Sequence, residues 1–178
     1  MSEVSNPATQ RVFASAARKG VALVFRHADA AAGADLGQIV NSLVFVAPRP
    51  GGRLVPIIGL LSARNQVDLH ALAALTGEVA IRAASPEEAR DLTGFAAGAM
   101  PPFGHGRDVR VLMDQDLCRY QLVWASAGAE EAVFCVPPRT LRALANAEVA
   151  PLARPGWASA VGQMTVRNDL PALGQQNA

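Results

Sequence analysis

Lysine, cysteine and aromatic side chains are all scarce in this 178-residue chain. Lys19 is the one lysine among 16 basic residues, and 15 acidic residues bring the formal net charge to only +1. Bulk charge therefore does not recruit a polyanion. Any contact with phosphate has to come from a local group of arginines, whose guanidinium grips it bidentately. The 2 cysteines, Cys118 and Cys135, lie in apolar segments and form no CxxC pair. They are read as buried free thiols, and no zinc site is expected. Apolar runs such as "SLVFVA" and "LVPIIGLL" are strand-sized, far below the roughly 20 residues of a membrane helix. No basic leader precedes an apolar run, so the expected location is the cytoplasm.

The usual catalytic signatures are also missing. No GxGxxG follows a strand, no GxxxxGK[ST] occurs, and "WASAG" only superficially approaches a nucleophile elbow. Asp114 and Asp116 in "MDQDL" could hold a metal but fit a capping role better. His27 and His70 are isolated and read as structural or solvent-facing. The residues offer no nucleophile–base set, metal site or cofactor site.

What is present is apolar and strongly patterned. Hydrophobic residues make up 51% of the chain and charged ones 17%, the balance of a globular domain. The pattern divides the chain into a flexible N-terminus (residues 1–9), one domain (10–154) and a Gly/Pro/Asn/Gln-rich tail (155–178). Within the domain, "ATQRVFASAARKG" predicts an amphipathic helix, "VALVFR" a strand and "ADAAAGADLG" a short helix. "QIVNSLVFVA" and "LVPIIGLL" predict two strands joined by the turn "PRPGGR". "VDLHALAALTG" is helical with Gly77 as its stop, and "EVAIRA" is a strand. "SPEEARDLTG" carries an N-cap at Ser85, proline in the first turn, a capping box closed by Glu88, and Gly94 beyond the end. "VRVLMD", "QLVWAS" and "AVFCV" are strands, and "PPRTLRALANA" is a closing helix. Direct hairpins mixed with helices argue for an α+β domain around one sheet or barrel.

One segment stands apart. "TGFAAGAMPPFGH" (residues 93–105) holds three glycines, two prolines and a histidine but no carboxylate. Gly98 and Gly104 allow backbone to approach a ligand closely, and Pro101 and Pro102 stiffen the segment between them. Such a loop can turn backbone N–H groups toward an oxygen without any charged side chain.

Together with "GQIVNSLVF", "SARNQVDLHALAALTG", "VRVLMDQDL" and "QLVWASAGAEEAVF", this loop resembles the YbaK / prolyl-tRNA-editing family of aminoacyl-tRNA deacylases over roughly residues 10 to 153. The family's GxxxP element falls on Gly98 and Pro102. The resemblance implies an α+β fold with a single mixed, mostly antiparallel sheet curled toward a barrel and surrounded by helices. It implies a trans-acting hydrolase that cleaves the ester of mischarged tRNA, such as tRNA-Pro carrying a small non-cognate amino acid. Its partners would be the acceptor end of aminoacyl-tRNA and prolyl-tRNA synthetase, with no DNA, membrane, metal or cofactor.

Asn41, Gly98 and Pro102 are the catalytic positions so implied. Ser42, Ala99, Met100, Pro101, His105, Gly128 and Ala129 are the substrate-binding ones. Strand alternation turns Asn41 and Ser42 to opposite faces, so one of the pair at most lines a given pocket. Many members carry a lysine where this chain has Asn41, which hydrogen-bonds but brings no charge. The family's GGV is Gly98-Ala99-Met100 here, and Ala129 stands where relatives can be polar, implying a small, apolar pocket. Arg49, Arg53, Arg64 and Arg107 are candidates for an acceptor-stem patch. Two other readings are a catalytically silent module binding tRNA ends or a small ligand, favoured by Asn41, and an esterase unrelated to tRNA, favoured by the near-neutral charge.

Overall fold

The computed structural model describes residues 6–154, so the expected tail at 155–178 lies outside the described residues. Helix α1 (Pro7–Arg18) opens the domain, with Asn6 Oδ1 accepting from the Ala8 amide at 2.9 Å and proline in the first turn. The helix expected from Ala8 onward thus starts one residue earlier, ahead of the domain start expected at residue 10, and Thr9 is fully buried. The remaining elements are β1 (Arg26–His27), β2 (Val40–Pro48), β3 (Leu54–Ser62), α2 (Leu69–Thr76), β4 (Arg82–Ala83), α3 (Pro86–Thr93), β5 (Arg110–Asp114), β6 (Val123–Ala129), β7 (Ala132–Val136), α4 (Pro138–Ala145) and β8 (Glu148–Ala150). No described helix is long and apolar enough to cross a membrane.

The fold is α+β, but the single sheet expected from sequence is two sheets. One is β1-β7-β6 and the other β4-β2-β3-β5-β8. Antiparallel pairing holds for β2–β3, β2–β4, β1–β7 and β6–β7, whereas β3–β5 and β5–β8 are parallel. The sheets do not close into a barrel. They meet through one isolated parallel bridge, Ile39 to Trp124.

The five-stranded sheet is buried on both faces, which is why β2 and β3 read as continuous apolar runs. Val40, Val44, Ile58, Leu60, Val111 and Met113 face the main core, shared with the three-stranded sheet, α1 and α4. Phe45, Ala47, Ile57, Leu61 and Leu112 face a second core closed by Leu72 of α2.

Several local expectations fail for tertiary reasons. Of "VALVFR" only Arg26 is in a strand, and of "EVAIRA" only Arg82 and Ala83, because each finds a partner strand over only two residues. "ADAAAGADLG" forms two short 3-10 turns. The α3 signals all hold: Ser85 Oγ accepts from the Glu88 amide, Glu88 Oε2 from the Ser85 amide, and Gly94 sits at φ 78°. The single lysine has a structural post, since Lys19 Nζ donates to the carbonyls of Ala143 (3.2 Å) and Leu144 (2.8 Å) at the end of α4.

Candidate functional site

The loop between α3 and β5 is fixed at both ends. Its apolar members Phe95, Met100 and Phe103 are sunk in the main core at 2–4% exposure. Arg11 of α1 lies over the Phe95 ring at 4.2 Å and donates to the Gly94 carbonyl at 3.3 Å. His105 stands edge-on to Phe95 and its Nε2 is 3.0 Å from the Pro101 carbonyl. A carbonyl can only accept, so Nε2 carries the proton. Burial holds the imidazole below its ordinary pKa of 6.5 and so keeps it neutral, the Pro101 bond opposing this and Arg11 assisting. His105, expected to touch substrate, thus spans the prolines as a latch within the loop.

The loop's glycines divide by role. Gly104 (φ +89°) is packed on the Val12 backbone at 3.4 Å from where a Cβ would stand. Gly94 (φ +78°) lies under Arg11. Gly98 is exposed, has no positive φ, and would meet only Glu130 Oε1, at 3.7 Å. Gly94 is exposed as well, but there the Arg11 guanidinium covers the position a Cβ would take. Ala99, Met100, Pro101 and Pro102 behind Gly98 are all buried. These four expected site residues set the loop's shape from within.

Beneath the loop runs the end of β6. Gly128 (φ +94°) is pressed between Phe95 and the Ala8 backbone of α1, where a Cβ would come within 2.9 and 3.2 Å. Gly128 and Ala129 are both buried. The β6–β7 register slips between Ser126 and Ala129, and Ser126 Oγ accepts from the Gly128 amide at 3.1 Å across the irregularity.

Asn41 stands at the start of β2. It is exposed, and its side chain has no hydrogen-bond partner among the described residues. Ser42 faces the other way, with Val40 and Val44, and its hydroxyl is buried without a partner. The two strands run alongside each other from the Ile39–Trp124 bridge. Continuing that parallel register by two residues sets Asn41 beside Ser126, on the face away from the main core. This register brings Asn41 and Ser126 together, while Glu130 Oε1 at the hairpin tip is the atom nearest to Gly98. The sequence singled out Asn41 and Gly98 but missed Ser126 and Glu130. Period-2 alternation with Ala125 and Ala127 could have flagged Ser126, whereas only the tertiary approach of the hairpin tip to the loop reveals Glu130.

Other expectations change on the structure. Arg49 is held bidentately by Glu78 (2.6 and 2.7 Å) and Arg64 by Asp35 (2.6 Å), so half of the expected arginine patch is already neutralised. The Glu78 carboxyl is drawn below its ordinary range by its bond from Arg49. Asp114 stands at the N-cap position of the 3-10 turn Gln115–Arg119. Asp114 and Asp116 both accept from Asn65 Nδ2, at 2.6 and 2.9 Å, which ties the β3–α2 turn to the end of β5. No group of three or more potential metal ligands occurs among the described residues. Cys118, expected to be buried, is exposed. Two clefts are lined by other residues. One, of about 560 Å³, lies between Tyr120 and the start of α4, and one of about 450 Å³ surrounds Trp124.

A family model of the aminoacyl-tRNA editing domain matches residues 21–144. The chain belongs to that family. A crystal structure provisionally assigned as a trans-editing enzyme for prolyl tRNA synthetase is 38% identical, with a TM-score of 0.74, and the match covers 84% of this chain and 98% of that one. Among curated relatives, the proline–tRNA ligase of Limosilactobacillus fermentum is 32% identical over 85 residues, 48% of this chain and 15% of the ligase. The multifunctional Ser/Thr-tRNA deacylase ProXp-y of Escherichia coli K12 is 34% identical over 82 residues, 46% of this chain and 48% of that protein. The chain thus spans less than half the length of either curated relative.

Proposed function

We propose that this editing domain is a trans-acting deacylase that hydrolyses the ester of mischarged tRNA, its substrate being tRNA-Pro carrying a small non-cognate amino acid. The observation that carries the reading is Gly98: a site wall with its backbone open to solvent, backed by buried prolines and faced by a single carboxylate. An aminoacyl ester is already activated, so the protein has mainly to orient it and admit water.

In this reading Gly98 lets the ester carbonyl approach the loop backbone, and Asn41 donates from its amide to the carbonyl or to the terminal ribose. The vicinal ribose hydroxyl assists the attacking water. Water adds to the carbonyl carbon, the bond to the ribose oxygen breaks, that oxygen recovers a proton, and the free amino acid leaves. Glu130, facing Gly98, meets the α-ammonium of the aminoacyl group, which a simple ester lacks. The proline assignment is supported by the ligase and trans-editing relatives, and prolyl-tRNA synthetase is proposed as a partner. ProXp-y, named for Ser/Thr-tRNA, keeps serine and threonine among the amino acids to be tried.

Single-turnover deacylation of tRNA-Pro charged with Ala, Cys, Ser, Thr or Pro tests the proposal. Rapid loss of one mischarged species with Pro-tRNA-Pro left intact is expected. If none is hydrolysed while tRNA still binds, the uncharged Asn41 has left a binding module instead.

A further inference from the structure

We propose that the cleft around Trp124 receives the terminal adenine of the tRNA 3′ end, stacked on the indole, with Arg26 on the phosphate that precedes it. The inference rests on the deacylase reading and assigns the substrate's nucleoside to a place in the fold.

The cleft, of about 450 Å³, is lined by Val24, Arg26, Ala30, Leu122, Trp124 and Cys135. No carboxylate is among them. Arg26 forms no ion pair with any described residue. Val24 is 63% exposed and Leu122 45%, large apolar side chains left open around a half-buried indole. A flat aromatic face, an apolar rim and one unpaired guanidinium match a nucleotide, which offers a π-face and a phosphate together.

Register gives the cleft its meaning. Ile39 and Trp124 are parallel bridge partners, so their side chains share a face, and Cys135 opposite Trp124 on β7 shares it too. Asn41 is two residues beyond Ile39 on that same face, about 7 Å along the strand at ordinary strand rise. A single nucleoside spans a comparable length from base to esterified ribose hydroxyl. An adenine on Trp124 therefore directs its ribose toward Asn41, and the preceding phosphate toward Arg26.

The test uses the full chain carrying Trp157→Phe, which leaves Trp124 as the only tryptophan. Adenosine 5′-monophosphate should quench its fluorescence saturably, more tightly than cytidine 5′-monophosphate and far more tightly than ribose 5-phosphate. On mischarged tRNA, Trp124→Ala should weaken half-saturation about ten-fold or more, with a smaller effect on the maximal single-turnover rate. Trp124→Phe should restore most of it, because stacking survives. Arg26→Gln should weaken the nucleotide but not free adenosine. If the enzyme deacylates normally while adenosine monophosphate fails to quench and Trp124→Ala leaves half-saturation unchanged, the assignment is overturned and the deacylase reading stands. Equal binding of ribose 5-phosphate and adenosine monophosphate also overturns it. Trp124-dependent quenching without any deacylation supports the nucleotide cleft and removes the deacylase.

Discussion

The sharpest test of the loop is the same substitution at two glycines. At Gly98 an added methyl would meet nothing closer than Glu130 Oε1 at 3.7 Å, an ordinary contact, and the backbone there is not left-handed. Gly98→Ala should therefore fold at least as well as the parent. Restricting the unfolded chain is worth about 0.4–1 kcal/mol in its favour, or a melting point raised by a few degrees at most. At Gly128 the methyl would stand 2.9 Å from Phe95 Cε1 and 3.2 Å from the Ala8 backbone, at φ +94°. Strain and overpacking together predict a loss of about 2–4 kcal/mol for Gly128→Ala. Activity should run the other way for Gly98. If a substrate oxygen must approach that backbone, a methyl displaces it by about 1 Å, which costs on the order of a hundred-fold in rate. Urea unfolding paired with single-turnover deacylation reads both quantities. A Gly98→Ala protein that is stable and hydrolyses at the parent rate would refute the assignment of this loop as a site wall.

Further outcomes follow from single contacts. Asn41→Ala should leave stability within about 0.5 kcal/mol, since the side chain is exposed, and slow single-turnover deacylation by roughly 2- to 12-fold, the worth of one hydrogen bond. Glu130→Gln should reduce the preference for aminoacyl-tRNA over its N-acetylated form, measured as a ratio of rates, while the melting temperature holds. The His105 pKa is depressed in the fold, so the unfolded chain binds the proton more readily. Its contribution is full above the ordinary value of 6.5 and is lost as pH falls below it. Urea midpoints should drop more steeply below pH 6.5 in the parent than in His105→Gln. Asp114→Ala should cost about 1–3 kcal/mol by removing an acceptor of the Asn65 amide, checked by thermal unfolding.

Much of the architecture was legible because local signals and tertiary demand agree. Helix α3 carries its cap, its box and its stop within one stretch, and the apolar runs of β2 and β3 match strands covered on both sides. Where strand length depended on a partner, as at "VALVFR" and "EVAIRA", sequence overreached, because β propensity does not report how far a neighbouring strand extends. The division into two sheets was hidden for the same reason, since pairing order is a property of the assembled chain. In the site, the GxxxP segment and Asn41 could be named from sequence, but the inward turn of Met100, Ala129 and Gly128 could not. The neighbours of Gly128 come from α1 and Phe95, distant along the chain. Glu130 was invisible because nothing near it in sequence shows that a hairpin tip folds over Gly98. The bidentate pairing of Arg49 with Glu78 likewise joins segments whose charges give no sign of each other.

Lys19 carries one more consequence. Aminoacyl esters react readily with free amines to give amides, so a protein that holds such esters risks being acylated by its own substrate. Here the sole lysine is bonded to the carbonyls of Ala143 and Leu144, and the residues assigned to the proposed site are asparagine, serine, glutamate and glycine. None of these offers an amine side chain. The proposed site thus carries no amine side chain for an aminoacyl ester to acylate.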